Sequence, residues 1–293
     1  MTNKFAPDDQ AGAMNYVTAD CTLNALKSVR EGRIIDLSQE IKTGHPCMEP
    51  AQSPFMMNMR ATPDMVLRMC DMMGASNKLG AYTERVELCM HTGTHIDALG
   101  HITIADEMYG GQRFSEMTNN FGLERLGIEQ MPSLISRSVC INVANLDGGE
   151  YLEGGRVVSY RDLKSALDKA KVEIEPGDVV LIRTGYNRFF MVDNERYISS
   201  EPGIDVEAAQ WLTEQKVSVI GCDNMAVEVT PYPEQDKMLP VHQHTLVEAG
   251  VHLIENLVLD ELMRESVTTF CFIMLPVKFT GATASPVRPV AVL

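Results

Sequence analysis

The sequence lacks several features that would each indicate a class of protein. No run approaches the roughly 20 apolar residues that cross a bilayer, and the start lacks the basic-then-apolar pattern of a secretory signal. The seven cysteines are scattered and form no CxxC pair, which favours reduced thiols in a cytoplasmic protein over a disulfide framework. The sequence contains no GxSxG motif and no obvious cysteine–histidine pairing, so it does not predict a covalent nucleophile.

Positive charge is also scarce. The 25 Lys and Arg residues stand against 40 Asp and Glu residues, so the formal net charge is −15. An acidic surface repels nucleic acid phosphates and anionic lipid heads, so neither nucleic acid nor a membrane is an expected partner. A small molecule is the expected partner instead.

Helix and strand patterns are mixed along the 293 residues, and no change in composition marks a second domain. Because buried strands alternate with helices, the sequence predicts an α/β chain. The first helix is expected to begin after Thr18 and to stop at Gly32. Other helices are predicted at 64–73, 159–171, 203–216 and 239–250, and strands at 33–41, 83–91, 138–143, 179–183, 217–222 and 268–275, with Ile254 in a further short strand.

Methionines are crowded in one stretch. Seven of the 19 lie between residues 56 and 73. Flexible thioether side chains suit adaptable apolar surfaces, such as pocket entrances or subunit contacts, although they also fill cores.

Ligand-type side chains are concentrated in HTGTHIDALGH, residues 91–101. In an extended chain His91, Gly93, His95 and Asp97 share one face, and imidazole and carboxylate are ligands that Zn²⁺, Mn²⁺ and Fe²⁺ accept. Full extension would separate the Cα atoms of the two histidines by about 13 Å, which is near the limit for one ion. The chain must therefore bend, and the glycine supplies the permissive backbone. The run predicts a strand and turn that hold a divalent metal.

His101 lies four residues beyond Asp97. It is either a further ligand or an unliganded acid/base that takes a proton from metal-activated water and gives one to a leaving group. The second interpretation predicts an enzyme that hydrolyses a small molecule. A non-catalytic metal- or ligand-binding protein is the rival, and such a protein gains nothing from an unliganded base beside the ion.

The run resembles the HxGTHxDxPxH signature of the bacterial cyclase-like hydrolases, which include kynurenine formamidases, isatin hydrolases and trans-dienelactone hydrolases. Residues 177–185, 202–212, 254–257 and 285–288 also resemble segments of that family. The resemblance implies a swivelling β/β/α fold over residues 34–293 after an N-terminal helical extension, residues 1–33. It also implies a homo-oligomer, a dimer or tetramer. Leu99 replaces the usual proline of the signature, which should change the stiffness of the loop more than its chemistry.

The resemblance further implies roles for individual residues. His91, His95 and Asp97 would be metal ligands, and His101 would be the acid/base. Formamidase-like members carry a second-zinc histidine twelve residues before the glutamate of the IENL segment, here Glu255. That position is Gln243, and isatin hydrolase-like members are similar in using a glutamine with a single Mn²⁺.

Gln243 is therefore predicted as the fourth ligand of one Mn²⁺ or Zn²⁺, since its carbonyl oxygen is a hard donor. A shift of register that puts His242 or His244 on the metal is the rival. Glu255 is predicted to have a catalytic role by orienting a ligand or accepting a proton, with a buried ion pair as the alternative. Phe55 and Tyr186 are predicted to line the substrate pocket, although such aromatic residues also serve as core.

These predictions describe a hydrolase that opens a non-peptide acyl C–N or C–O bond. The substrate would be a small cyclic amide, lactone or aryl formamide, and the water would be activated by the metal. Besides the non-catalytic rival, a polyketide-type cyclisation is an alternative suggested by the name of the family.

Overall fold

A large mixed sheet forms the centre of the fold in the computed structural model, which describes residues 4–293. Residues 1–3 of the predicted N-terminal extension lie outside the described residues. The strands in chain order are β1 (Ile34–Asp36), β2 (Met56–Ala61), β3 (Thr83–Glu87), β4 (His95–Asp97), β5 (Glu107–Met108), β6 (Gln112–Arg113), β7 (Thr118–Asn119), β8 (Gly122–Leu123), β9 (Leu134–Asn142), β10 (Val157–Val158), β11 (Val179–Arg183), β12 (Gly203–Ile204), β13 (Val219–Cys222), β14 (His252–Glu255), β15 (Thr269–Met274), β16 (Ala284–Pro286) and β17 (Val290–Val292).

Nine of these strands make the main sheet, in the order β1-β17-β15-β9-β11-β13-β14-β4-β16. The neighbours β9, β11, β13 and β14 run parallel, and the flanking pairs are antiparallel. Short α-helices and 3₁₀ turns surround the sheet. The α-helices are α1 (Ala19–Ser28), α2 (Pro63–Met72), α3 (Phe114–Met117), α4 (Tyr160–Ala170), α5 (Asn194–Ser199), α6 (Val206–Glu214), α7 (Pro240–His242) and α8 (Asp260–Arg264); the 3₁₀ turns are Gly12–Tyr16, Tyr109–Gly111, Ile128–Gln130 and Tyr186–Phe189; and the π-helix Gln243–Ala249 continues α7.

Two apolar cores lie on opposite faces of the sheet. Side chains of a strand alternate between faces, so Val180 and Ile182 of β11 enter one core while Val179 and Leu181 enter the other. Parallel strands buried on both faces read as continuous apolar runs, which is why this strand was visible in the sequence. The α/β class is therefore confirmed.

Several predicted helices begin where their capping residues indicated. The Thr18 hydroxyl accepts from the Cys21 amide at the start of α1, and Ser159 forms a capping box with Asp162 at the start of α4. The helix predicted at 203–216 begins only at Val206, because Asp205 caps it and the preceding two residues pair as β12. The first helix ends at Ser28, four residues before Gly32.

The strand predicted at 83–91 is shorter than expected. β3 ends at Glu87, so His91 lies in a turn rather than in a strand. Every residue of β3 is exposed, including the apolar Val86. β3 pairs with β2 in a two-stranded ribbon that stands apart from the main sheet.

The predicted N-terminal extension packs on the rest of the chain. Helix α1 lies against β9 and β15, with the Thr22 hydroxyl donating to the carbonyl of Ile135. The amide of Ala13 donates to the carbonyl of Gly250, just before β14. Among residues 4–293, no helix has both the length and the apolar character that crossing a bilayer requires.

Candidate metal centre

The bend that the histidine run requires is present at Gly93. Its φ is +58°, a left-handed conformation that favours glycine, and β4 begins two residues later at His95. The carbonyl of Gly93 accepts from His95 Nδ1 at 2.9 Å and from Asn256 Nδ2 at 3.1 Å. The Thr94 hydroxyl donates to the Asn256 carbonyl at 2.6 Å. The turn is thus fixed from both sides, and His95 presents Nε2 to the site.

Asp97 lies at the centre of the site. Its Oδ1 is 2.9 Å from His91 Nδ1 and 3.6 Å from His95 Nε2, and the side chains of Asp97 and His95 are fully buried. The backbone carbonyl of Asp97 accepts from the buried His252 Nδ1 at 2.7 Å. The three predicted ligands are therefore together, with His95 and Asp97 on β4, which is held from the side of β14, and His91 in the turn before it.

Glu255 closes the site from the neighbouring strand β14, where it lies opposite His95 in the antiparallel register with β4. Its Oε2 is 3.2 Å from His95 Nε2, and its Oε1 is 3.2 Å from His242 Nε2. Glu255 therefore lies within the constellation, and its catalytic role stays a prediction. Arg183, a base that could have paired with it, binds Asp260 instead.

His101 lies against the ligands rather than apart from them. Its ring centroid is 4.1 Å from that of His91 and 6.3 Å from that of His242. Two sets of three side chains are grouped so that one donor atom from each residue lies within 4.8 Å of the other two. The first set is His91, Asp97 and His101, and the second is His95, Asp97 and Glu255. Asp97 therefore belongs to both sets.

The site fits a divalent cation. Apart from the contacts that members of the cluster make with one another, His95 Nε2 and both carboxylate oxygens of Asp97 are buried without a hydrogen-bond partner. A buried polar atom without a partner is costly, and a cation would satisfy all three atoms at once. The donors are nitrogen and oxygen with no thiolate, a set that suits both Zn²⁺ and Mn²⁺.

Proton positions follow from the buried charges. Burial lowers the pKa of His101 to about 4, so its imidazole is neutral at physiological pH. Burial also opposes a charge on His95, but the charge and hydrogen bond of Glu255 outweigh it and raise the pKa to about 9. For Asp97, burial acts to raise the pKa, but the surrounding histidines hold it well below its usual range. Without a cation, histidine protons balance the carboxylates.

His242 occupies a place that the sequence offered only as a rival to Gln243. Besides its contact with Glu255, its Nε2 lies 3.8 Å from Asp97 Oδ2. The side-chain amide of Gln243 donates to the carbonyl of Thr103 at 3.1 Å, on the loop that follows His101. His244 lies elsewhere, 3.0 Å from the Thr213 hydroxyl. Gln243 therefore stays a predicted ligand, with His242 nearer to the carboxylates.

Glu228 is a site residue that sequence reasoning missed. Its Oε1 is 2.6 Å from His242 Nδ1 and accepts the backbone amide of His242 at 3.0 Å. The carboxylate is almost fully buried. The only signal in the sequence was a glutamate between the apolar residues Val227 and Val229.

The two predicted substrate-binding aromatics are both buried. Tyr186 is stacked on Tyr197, with 5.7 Å between ring centroids, and its hydroxyl donates to the carbonyl of Arg196. Tyr197 in turn donates to Asn256 Oδ1, so this aromatic cluster supports the turn at Gly93. Phe55 is 8% exposed and immediately precedes β2. Their contact with substrate stays a prediction.

Comparison with known proteins identifies the family. The model of the family named Cyclase matches residues 35–229. The chain belongs to the cyclase family. Kynurenine formamidase of Bacillus cereus is 27% identical over 209 residues, covering 70% of this chain and 78% of the relative. The enzyme of the same name from Geobacillus thermodenitrificans is 27% identical over 206 residues, with coverage of 70% and 77%.

Solved structures of this family share the fold. A crystal structure described as a novel cyclase superposes with a TM-score of 0.89 at 26% identity, covering 99% of this chain and 98% of that one. Isatin hydrolase A from Labrenzia aggregata gives a TM-score of 0.66 at 19% identity, with coverage of 88% and 93%. The predicted family, its fold and the class of metal-dependent hydrolase are therefore confirmed. The metal, the oligomer and the dienelactone hydrolase likeness stay predictions.

Proposed function

We propose that this cyclase-family hydrolase opens a non-peptide acyl C–N or C–O bond in a small cyclic amide, lactone or aryl formamide. The observation that carries the proposal is the pairing of a buried cation site with a neutral imidazole, His101, at its edge. Relatives named kynurenine formamidase and isatin hydrolase support the same range of substrates.

His91, His95 and Asp97 would hold one divalent cation, Mn²⁺ or Zn²⁺. When bound, the cation polarises a substrate carbonyl and lowers the pKa of water. His101 accepts the proton of the attacking water, because its lowered pKa keeps it neutral, and returns the proton to the leaving nitrogen or oxygen. Glu255 keeps His95 and His242 in place through its two oxygens. The products are a ring-opened carboxylate, or formate and an amine.

The bond class is tested with a panel of lactones, cyclic imides and formanilides in the presence of Mn²⁺ or Zn²⁺. We expect turnover of at least one class, with one oxygen from ¹⁸O-labelled water in the acid product. Silence across the panel with metal bound would overturn the proposed bond class and favour a ligand-binding role. A product without the label would favour cyclisation.

The fourth ligand is tested by the metal content of Gln243→Ala and His242→Ala, measured after purification without chelator. Loss of metal in the first variant alone supports the predicted glutamine ligand. Loss in the second alone assigns His242 instead. Two equivalents of metal in the parent protein would overturn the single-cation proposal.

A further inference from the structure

The loop Ala98–Leu99–Gly100 sets the position of His101 relative to Asp97. Its first residue still follows the sheet, since the amide of Ala98 donates to the carbonyl of Thr283 at 2.9 Å. The next residues leave the sheet, and none of them fixes the backbone as a proline would. Glycine is the most permissive residue of all. The position of His101 therefore depends on what holds the far end of the loop.

A backbone hydrogen bond holds that end. The amide of Gly100 donates to the carbonyl of Leu126 at 3.0 Å. Leu126 is buried, and its φ of +61° is a left-handed conformation that a residue with a Cβ rarely adopts. The loop is therefore only as firm as the peptide of Leu126, which needs a further partner to keep this conformation.

Gln10 of the N-terminal extension is that partner. Its Oε1 accepts the amide of Leu126 at 2.9 Å, across 116 positions of the chain. The orientation of the side-chain amide is fixed by this contact, because a backbone N–H can only donate. Beside it, Arg125 Nη2 donates to the carbonyl of Asp8 at 2.9 Å. Leu126 thus joins Gln10 on one side to Gly100 on the other.

The segment that carries Gln10 is itself a fixed turn. The carboxylate of Asp9 accepts the amides of Ala11 and Gly12, at 3.3 and 3.0 Å. It also accepts the hydroxyl of the buried Tyr109 at 3.1 Å. Because the backbone around Gln10 is already ordered, little conformational entropy is lost when its side chain binds Leu126.

The same segment packs directly on the loop before His101. Gly12 has a φ of +56°, and a Cβ added there would lie 2.1 Å from the carbonyl oxygen of Gly250 and 2.9 Å from Leu99 Cδ1. Only a residue without a side chain allows this approach. The extension therefore reaches the loop at Leu99 by packing and at Gly100 by way of Leu126.

We propose that Gln10 is a positioning residue for His101, which it holds in place through Leu126 and Gly100. The inference rests on the proposed function, where His101 is the base. It adds that the N-terminal extension serves the reaction as well as the stability of the fold. A base must stay within hydrogen-bond reach of the water that it deprotonates, and a displacement of about 1 Å can cost about 10²-fold in rate.

Amide hydrogen exchange of the metal-free protein tests these bonds without a substrate. Gln10→Leu keeps the size of the side chain but removes the acceptor, so the amides of Leu126 and Gly100 should exchange about 10-fold faster. Gln10→Glu keeps an acceptor oxygen and should restore slow exchange. Thr22→Val is the matched control, since it removes a bond from the same extension to the carbonyl of Ile135.

Two exchange results would overturn the proposal. One is an unchanged rate at Gly100 in Gln10→Leu, and the other is an equal rise in Thr22→Val, which would indicate general loosening. If Gln10→Leu does not fold, Gln10→Asn replaces it. That variant stays polar, but its side chain is one methylene shorter and cannot reach the amide of Leu126.

Turnover separates positioning from structural support. With the panel compound that the parent protein hydrolyses, kcat of Gln10→Leu should fall by about 10- to 10²-fold, while KM and metal content stay at the parent level. Gln10→Glu should recover most of the rate. A fall that Thr22→Val shares, or one that accompanies loss of metal, would overturn the positioning role. A panel on which the parent protein is silent overturns the proposed function instead, and the exchange rates then decide whether Gln10 holds the loop.

Discussion

The metal centre and the segment from Met56 to Glu87, which we call the methionine arm, differ in where they place their side chains. In the metal centre, Asp97 and His95 are fully buried, and two hydrogen bonds with Asn256, which Tyr197 holds in turn, fix the turn that carries them. In the arm, apolar side chains face solvent and nothing within the described chain covers both faces of the ribbon. The fold therefore holds the donor atoms of the centre in place, whereas it leaves the apolar side chains of the arm exposed.

This difference shows which favourable free-energy change each region can provide. A buried set of unpaired donors gains by binding a cation, because the cost of burying them has already been met by the fold. An exposed apolar ribbon gains by removing its surface from water. Each region is accordingly sensitive to a different change, and substitutions can separate them.

The largest effect is expected from Asp97→Asn, which keeps the volume of the side chain but removes the charge shared by both sets of donors. Turnover should fall to background together with the bound metal, measured by elemental analysis. The loss should exceed the about 10–100-fold that removal of a supporting partner costs. Asp106→Asn is the control, because Asp106 pairs with Arg113 and belongs to neither set of donors, so this variant should retain the metal. Retained metal in Asp97→Asn would remove this residue from the ligand set.

The next effect is expected from His101→Ala. Because this imidazole is proposed to move the proton, turnover should fall by about 10²–10⁴-fold while the metal content stays at the parent level. Rate and metal content measured on the same preparation separate the two roles of His101. Loss of the metal as well would identify His101 as a ligand and leave the proposed mechanism without its base.

A smaller effect is expected from Glu228→Gln, which removes the negative charge beside His242 Nδ1. Partners of this kind hold a histidine in one tautomer and orientation, and their loss costs about 10–100-fold in metal affinity or activity. Metal titration and the downfield imidazole proton resonance of His242 report the change. Glu248→Gln is the matched control, because Glu248 contacts His244 outside the site. Equal behaviour of the two variants would make Glu228 a structural residue only.

The sequence predicted the centre better than the arm, for a physical reason. Ligand chemistry and the need for a bend are local properties, so His91, His95 and Asp97 could be placed from a short run around Gly93. The pairing of Glu228 with His242 joins a loop residue to α7 across 14 positions, and the spacing of apolar residues does not reveal such a contact.

The strand predicted at 83–91 is shorter and exposed, because β3 belongs to a two-stranded ribbon outside the main sheet. The spacing of apolar residues does not reveal which sheet a strand joins. The central strands were predicted well, since burial on both faces leaves a continuous apolar run, as at Val179–Arg183.

The smallest expected effect is a difference in pH dependence between the two regions. Folding raises the pKa of His95 from about 6.5 to about 9, so its contribution to the stability of the metal-free protein is present below the lower value. The contribution is lost as the pH rises through about 9, because the folded state then gives up a proton that the unfolded state no longer held. The arm contains no histidine, so it should contribute little to this change between pH 6.5 and 9.

Thermal unfolding of the metal-free protein across this range should show a falling Tm. The metal-loaded protein should not follow, since a cation replaces the histidine proton and binds more tightly as that proton is lost. If the two forms lose Tm in parallel, the titrating group lies outside the metal centre.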